Sequence, residues 1–183
     1  MRITSGIYKG LNITIPKSSA IRPTSEKIRM AVFNTLRDII SHSRVLDIFA
    51  GSGAIGIEAL SRKASSVDFI EKDRQLCKLI KETLTYINQQ HLCHVIQGNA
   101  TTILNQLDSK YDIIFADPPY DYNNKEAILS LIEKSELLNP EGMIILEHRS
   151  NENINEISLN LERFDVRKYG DTQISFYKKY NLT

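Results

Sequence analysis

A short apolar run followed at once by a glycine-rich turn constrains the fold of this chain most. Residues Val45 to Phe49 are almost continuously apolar, as in a parallel strand buried on both faces. The segment Gly51-Ser52-Gly53-Ala54-Ile55-Gly56 follows, and the residues after it predict a helix from about Ala54 to Arg62. A strand that enters a helix through such a turn is typical of α/β proteins.

The same alternation of strand and helix continues along the chain. Asp73 is predicted as a helix N-cap, as is Thr24 or Ser25 for an earlier helix whose apolar positions run from Ile28 to Ile40. The apolar spacing predicts further strands at Val67–Glu71, His94–Gln97, Tyr111–Ala116 and Met143–Glu147. It also predicts a helix at Ala127–Leu137. The sequence therefore predicts an α/β sandwich around a mostly parallel sheet.

The two ends of the chain have antiparallel patterns. Residues 1–16 alternate and turn at Gly6 and Gly10, which predicts a β-hairpin that Pro16 closes. Residues Phe164 to Lys179 alternate without a crossover helix, which predicts a terminal hairpin. We expect one compact domain overall, with residues 1–23 as an N-terminal hairpin and loop and residues 24–183 as the main body.

Charge and composition limit the class of protein. The chain has 183 residues and a formal net charge of +1, yet residues 1–37 hold seven basic side chains and one acidic side chain, a net charge of +6. Such a basic end faces either a polyanion or plain solvent, and charge alone does not decide between them. No apolar run can span a bilayer, and Cys77 and Cys93 are expected as reduced thiols in a cytoplasmic protein without a metal site. His148 is expected at the surface, partly exposed.

The glycine turn predicts a nucleotide-type cofactor. Glu71 ends the next strand, 20 residues after Gly51, where its carboxylate can accept hydrogen bonds from ribose hydroxyls. This spacing is also that of nicotinamide dinucleotide sites. Asp47, inside the strand, favours a methionine-type α-amino group instead, although it could simply cap the amides of the turn. Asn99 and Ala100 follow the third strand and could contact an adenine, or Asn99 could be an ordinary turn residue.

A second motif, Asp117-Pro118-Pro119-Tyr120, closes the strand that precedes it. Two prolines make the turn stiff and leave it rich in hydrogen-bond acceptors. The Asp117 carboxylate and the Pro118 carbonyl can both accept from one NH₂ group, and Tyr120 can stack on the ring that carries that group. An exocyclic base amine held in this way would be oriented for attack on a sulfonium methyl. The alternative is a rigid turn in which Tyr120 only packs.

At this point the chain resembles a known family. The run from Leu46 to Ala59 looks like the first motif of class I methyltransferases, and Asp117-Pro118-Pro119-Tyr120 looks like the fourth motif of their amino-methylating branch. Arg22-Pro23-Thr24, with Ile28-Arg29 and Val32 to Leu36, is similar to the N-terminal signature of the RsmD family, bacterial 16S rRNA guanine-N2 methyltransferases. Lys27 and Asn99 depart from that pattern, where the family more often has arginine and aspartate.

The resemblance implies a Rossmann-like sheet of seven strands whose last strand is reversed, and S-adenosylmethionine as cofactor without a metal. It implies as substrate the N2 amine of one guanine in 16S rRNA of a small-subunit particle. We expect the enzyme to be a monomer. Cofactor contacts would come from Asp47, Phe49, Ala50, Gly51, Ser52, Gly53, Gly56, Glu71, Lys72, Asn99 and Ala100. RNA contacts, mainly to phosphates, would come from Arg2, Lys9, Arg22, Thr24, Lys27 and Arg29. Adenine-N6 or cytosine-N4 methylation of DNA or RNA, and a nicotinamide-dependent oxidoreductase, remain the alternatives.

Overall fold

The chain folds around one mixed β-sheet with helices on both faces. A computed structural model describes residues 1–14, 25–119, 122, 125–155, 157–158 and 160–180. The strands are β1 (Arg44–Ile48), β2 (Ser66–Glu71), β3 (Cys93–Gln97), β4 (Tyr111–Ala116), β5 (Leu138–Arg149), β6 (Ile157–Ser158), β7 (Leu161–Tyr169) and β8 (Thr172–Lys179). The helices are α1 (Glu26–Leu36), α2 (Ala54–Ser61), α3 (Arg74–Tyr86), α4 (Ala100–Leu104) and α5 (Lys125–Lys134).

The order of the strands confirms the predicted class I methyltransferase topology. The sheet runs β3-β2-β1-β4-β5-β8-β7-β6, and β1 to β5 are all parallel. Strand β8 lies antiparallel between β5 and β7, so the last strand is reversed as expected. The two-residue β6 pairs with β7 at the edge, beyond the seven principal strands.

Alternate residues of the central strand face two separate cores. Val45 packs with α1, α2 and α3, where Phe33, Ile57 and Ile80 are fully buried. Leu46 and Ile48 face the other side of the sheet, against the buried apolar side chains of α4 and α5. Because both faces are covered, β1 reads as a continuous apolar run, and Asp47 is its one polar residue on the α2 side.

Several predicted boundaries differ from the observed ones for local reasons. Helix α1 is capped by Ser25, whose side chain accepts from the N–H of Ile28, and it ends at Leu36, after which residues Arg37–Ile40 form a 3₁₀ turn. Asp73 caps α3 as predicted, through hydrogen bonds from the N–H groups of Gln75 and Leu76. Strand β5 begins earlier than expected, at Leu138, and α4 was not foreseen because it is only five residues long.

The first 14 residues turn back on themselves in a hairpin-like segment that has one isolated antiparallel bridge, Arg2 to Asn12, and no regular strand, and they pack on the main body. The N–H of Ile3 donates to the carbonyl of Leu11 at 2.9 Å, and Gly10 donates to the carbonyl of Ile3 at 2.9 Å. Ile3 and Ile13 are buried in the core on the α2 side of the sheet. Pro16, predicted to close the hairpin, lies outside the described residues. Within the described part of the chain, no helix is long and apolar enough to cross a membrane.

Candidate active site

Three strands end side by side at one edge of the sheet, and each is followed by a predicted site motif. Ile48 of β1 is in register with Ile70 of β2 and with Ala116 of β4. The glycine turn, Glu71 and Asp117 therefore lie at the same edge, just beyond those positions. In open α/β sheets this carboxyl edge is where ligands bind.

The glycine turn needs backbone conformations that most residues avoid. Phe49, Gly51 and Gly53 all have positive φ, at 63°, 55° and 75°. The N–H of Ala50 donates to the carbonyl of Ile70, which fastens the turn to β2, and the N–H of Gly53 donates to the carbonyl of Ala50 at 2.7 Å. A non-glycine residue at φ near 60° is strained, so Phe49 is held there by its surroundings.

Asp47 is buried directly under this turn. Only 3% of its surface is exposed, and its Oδ2 accepts a hydrogen bond from the N–H of Gly56 at 3.0 Å. Burial raises the pKa of its carboxyl well above the usual range; the Gly56 hydrogen bond opposes this effect, and the charges of Asp117 and Glu71 add to it. The charges of Asp117 and Glu71 thus both act on Asp47. Asp47 does cap an amide of the turn, and its role toward a ligand stays a prediction.

Gly56, predicted to contact a cofactor, has a packing role in the structure. A Cβ atom there would lie 2.2 Å from Cε1 of Phe69 and 2.8 Å from Cγ1 of Val67. Its N–H is already bound to Asp47. Only glycine lets α2 approach β2 this closely, and a contact of Gly56 with a cofactor stays a prediction.

Glu71 is buried at the end of β2 and holds two backbone segments. Its Oε2 accepts from the N–H of Gly51 at 2.8 Å, and its Oε1 accepts from the N–H of Asp73 at 2.9 Å. The carboxylate therefore already fixes the glycine turn against the start of α3. Each oxygen retains a further lone pair, so the predicted ribose contact remains compatible with these bonds.

The other predicted cofactor residues have varied surroundings. Ser52 is buried and Lys72 is exposed, next to Glu71. Asn99 is the N-cap of α4, because its Oδ1 accepts from the N–H of Thr101 at 3.0 Å and from the Thr101 hydroxyl at 2.8 Å. Ala100 begins that helix with its side chain in the core, so only its backbone could reach a ligand. Contacts of these four residues with a cofactor stay predictions.

The proline turn, which begins at Asp117-Pro118-Pro119, lies next to the glycine turn and is joined to it through an aromatic pair. The N–H of Asp117 points to the carbonyl of Ile48 at 3.4 Å, Pro118 is buried and Pro119 is exposed. Tyr122 donates its N–H to the carbonyl of Pro119 at 2.8 Å, and its ring centroid lies 5.5 Å from that of Phe49. Tyr122 thus contacts both motifs. Tyr120 lies outside the described residues.

Comparison with known proteins decides the family. The family model "Conserved hypothetical protein 95" matches residues 1–178. "Ribosomal RNA small subunit methyltransferase D" of Haemophilus influenzae is 31% identical, with 98% of this chain and 93% of the relative covered. The protein of the same name from Escherichia coli is 30% identical, covering 98% and 90%. The chain belongs to the RsmD family. The solved structure of the Escherichia coli protein yhhF, at 29% identity and a TM-score of 0.89 over 98% of both chains, shares its fold.

This member of the RsmD family has a basic N-terminal region that is partly described. Arg2 and Lys9 are exposed on the hairpin, and Lys27 is exposed on α1. Arg22 and Thr24 lie outside the described residues. The three exposed cations are free to reach a phosphate, which keeps the predicted RNA contacts open for them.

Arg29, predicted to contact RNA, lies inside the protein in this structure. It is fully buried, and its Nη2 donates to the carbonyl of Arg2 at 2.7 Å. Burial lowers the pKa of its guanidinium, while the charges of Glu58 and Glu26 counteract that shift. Its contact with RNA stays a prediction. Its spacing with Val32, Phe33 and Leu36 on α1 is the helical pattern of a core face, and that signal was available in the sequence.

Two polar residues near the site were misjudged or missed in the sequence. His148, expected at the surface, is 1% exposed, with Nε2 2.9 Å from the Ser175 hydroxyl and Nδ1 2.9 Å from the carbonyl of Arg149. Burial lowers its imidazole pKa. Lys125, at the start of α5, is 4% exposed and pairs with Glu152 at 2.9 Å. The contacts of His148 with Ser175 and of Lys125 with Glu152 each join residues 27 positions apart, so spacing along the chain gives no signal for them.

Proposed function

We propose that this protein transfers a methyl group from S-adenosylmethionine to the N2 amine of a guanine in 16S ribosomal RNA. The substrate would be an assembling small-subunit particle, and the enzyme would act as a cytoplasmic monomer. The relatives match nearly the whole chain, and their names support the ribosomal substrate. The observation that carries the proposal is the contact between the two motifs. Phe49, at the start of the glycine turn (called the cofactor turn from here on), contacts Tyr122, and the N–H of Tyr122 is bonded to Pro119 of the proline turn.

The charges at the sheet edge fit S-adenosylmethionine. Asp47, Glu71 and Asp117 lie close enough for Glu71 and Asp117 to affect the titration of Asp47. Three neighbouring carboxylates favour a ligand with positive groups, and this cofactor carries a sulfonium and an α-ammonium. Gly51 and Gly53 allow the backbone to approach such a ligand at the start of α2. When bound, the cofactor supplies an electrophilic methyl group.

The residues of the proline turn would prepare the amine. The lone pair of an exocyclic base nitrogen is delocalised into its ring, which makes that nitrogen a poor nucleophile. Asp117 and the carbonyl of Pro118 would accept its two hydrogens, localise the lone pair and hold the nitrogen in line for transfer. Tyr120 would stack on the base, which must leave its own stack to enter the site. The proton would leave after transfer, because the methylated nitrogen is acidic.

The N-terminal part would face the RNA. Residues 1–23, together with the start of α1, would place Arg2, Lys9, Arg22, Thr24 and Lys27 against the ribose-phosphate backbone, where contacts position the RNA without reading its sequence. The net charge of +6 over residues 1–37 supports this assignment. Since the rest of the chain, residues 38–183, carries a net negative charge, the RNA would be directed to the N-terminal part of the molecule.

The test is methyl labelling of ribosomal particles. Purified protein is incubated with tritiated S-adenosylmethionine and particles from cells that lack the enzyme. We expect label in 16S RNA, on the N2 atom of a single guanine after nucleoside analysis. Label in DNA, or on the N6 atom of adenine or the N4 atom of cytosine, would instead support the alternative of an adenine or cytosine amino-methyltransferase.

A nicotinamide-dependent oxidoreductase is the alternative from a different class. It shares the spacing of Gly51 and Glu71, but its cofactor carries a pyrophosphate, which the carboxylate of Asp47 beneath the turn disfavours. A ligand at 100 times its dissociation constant stabilises the fold by about 2.7 kcal/mol. S-adenosylhomocysteine should therefore raise the melting temperature by several degrees and NAD should not; the reverse result would favour the oxidoreductase.

A further inference from the structure

An ion pair with a buried lysine lies close to the proline turn. Lys125 is the first residue of α5, and its side chain is 3% exposed. Its Nζ atom donates to Oε1 of Glu152 at 2.9 Å and to the backbone carbonyl of Tyr122 at 3.0 Å. Glu152 lies in the loop that follows β5, with 27% of its side chain exposed. The ammonium therefore joins the start of α5 to the loop that follows β5.

Tyr122 carries this connection to both halves of the site. Its N–H is bonded to the carbonyl of Pro119, and its ring lies against Phe49, at a centroid distance of 5.5 Å. Phe49 belongs to the cofactor turn and has a φ of 63°. The backbone of Tyr122 is thus held at its N–H by the proline turn and at its carbonyl by Lys125, while its side chain meets the cofactor turn.

The other end of the ion pair is fixed as well. Oε2 of Glu152 accepts from the N–H of Arg149 at 3.3 Å, and the N–H of Glu152 donates to the carbonyl of Arg149 at 3.1 Å. The same carbonyl lies 2.9 Å from Nδ1 of His148, whose Nε2 meets the hydroxyl of Ser175 on β8. The carboxylate is therefore anchored to the end of β5, a rigid central element of the sheet.

A buried pair of this kind is a poor source of stability. Removal of the Lys125 charge, and of part of the Glu152 charge, from water offsets much of their attraction, and well-packed apolar side chains can replace such pairs without loss of stability. An apolar pair would fill the space but could not bond the carbonyl of Tyr122. The pair is thus suited to fix one geometry, which matters where reacting atoms must be aligned.

We infer that Lys125 and Glu152 are positioning residues for methyl transfer. Together they hold Tyr122 between the proline turn and the cofactor turn, so that the amine acceptors at Asp117 and Pro118 keep their place relative to the methyl donor. This inference rests on the proposed function. Neither residue touches the reacting atoms, and both act through the backbone of Tyr122.

The decisive variant replaces both charges by apolar side chains, Lys125→Met with Glu152→Leu. Its melting temperature should stay within about 3 °C of the original, because the apolar pair is tolerated. Its affinity for S-adenosylhomocysteine should stay within about threefold. The single-turnover rate of methyl transfer, at saturating RNA and cofactor, should fall at least about tenfold, because small displacements of reacting groups are costly. Amide exchange at Tyr122 should become faster.

The matched control is the pair Lys78 and Glu82 on α3. It has the same charges at 3.6 Å, but the two side chains are 76% and 57% exposed. Lys78→Met with Glu82→Leu should leave the rate unchanged. Glu152→Gln, which keeps a neutral acceptor for Lys125, should retain more of the rate than the apolar pair, and it serves as the test if the apolar pair does not fold.

The inference is overturned if the Lys125→Met, Glu152→Leu protein keeps both the melting temperature and the transfer rate of the original. It is also overturned if the Lys78→Met, Glu82→Leu protein transfers methyl groups equally slowly. Failure of the proposed function gives a different result. Original protein that labels DNA instead of 16S RNA would refute the substrate, and the same rate comparison would then be made on DNA. Original protein that binds no S-adenosylhomocysteine would refute the proposed chemistry, and the positioning role with it.

Discussion

Glu58 holds Thr4 through both of its carboxylate oxygens. Oε1 accepts the Thr4 hydroxyl at 2.6 Å, and Oε2 accepts the Thr4 N–H at 2.8 Å. Glu58 lies on α2, directly after the cofactor turn, and is fully buried; Oε1 also accepts from the N–H of Ser5 and from Arg62. The basic hairpin proposed to face RNA is therefore bonded to the helix that opens at the cofactor turn.

Removal of this carboxylate should loosen the hairpin. We expect Glu58→Ala to lower the free energy of unfolding by about 3 kcal/mol or more, because it leaves Arg62 and three other donors without their acceptor. Urea denaturation measures the loss, and amide exchange should become faster over residues 1–14 in particular. Glu82→Ala, which breaks an exposed pair, should cost less than about 1 kcal/mol. Unchanged exchange in the hairpin would contradict this role of Glu58.

Gly56 offers a test of the close approach between α2 and β2. Alanine in an exposed helix position normally stabilises by about 1 kcal/mol relative to glycine. Gly56→Ala should destabilise instead, by about 2 kcal/mol, because the new Cβ would overlap the ring of Phe69. Gly170→Ala isolates backbone strain, since that residue has a φ of 62° and no neighbouring atom within 4 Å; we expect it to cost about 1 kcal/mol. A Gly56→Ala protein as stable as the original would refute the packing role.

The sequence predicted the elements that burial dictates and missed those that depend on distant partners. β4 was predicted with its observed ends, Tyr111 and Ala116, because a strand buried on both faces is nearly continuously apolar, here interrupted only by Asp112. The start of β5 was missed because Pro140 and Gly142 punctuate it. In the site, the spacing of the glycines could not tell Gly56, which faces Phe69, from the glycines of the turn. The pairing of Lys125 with Glu152 exists only in the folded chain.

The raised pKa of Asp47 gives a stability effect with a definite sign. In the folded protein its carboxyl keeps a proton to higher pH than in the unfolded chain, where its pKa is near 3.8. The folded state then binds more protons, so its contribution to stability is complete below that value and is lost as pH rises through the folded pKa. Asp47→Asn keeps an oxygen for the N–H of Gly56 and removes the titration.

We therefore expect the cofactor-free Asp47→Asn protein to gain stability relative to the original as the pH rises from 5 to 8. Urea denaturation at three pH values in this range measures the difference between the two proteins. The same variant should bind S-adenosylhomocysteine more weakly, because it loses the charge proposed to meet the α-ammonium. A difference in stability that is constant with pH would mean that Asp47 titrates normally.

Asp117→Ala tests the proposed chemistry most directly. Asp117 is half-buried at the end of β4, and its negative charge contributes to the raised pKa of Asp47. Removal of the carboxylate should leave the cofactor site formed, since Glu71 and Asp47 hold the glycine turn through their own hydrogen bonds. Affinity for S-adenosylhomocysteine should therefore change by no more than about threefold.

The rate of methyl transfer should fall much further in the same protein. Loss of one preorganised polar group at a reacting centre typically costs about 100-fold or more in turnover. We expect kcat and kcat/KM to fall together, because the carboxylate would act on the amine mainly in the transition state. Asp117→Asn keeps one acceptor oxygen but adds a donor that opposes the amine hydrogens, so it should be nearly as slow as Asp117→Ala. If either variant turns over at the original rate, the amine is not held by Asp117, and the proline turn serves only to end β4.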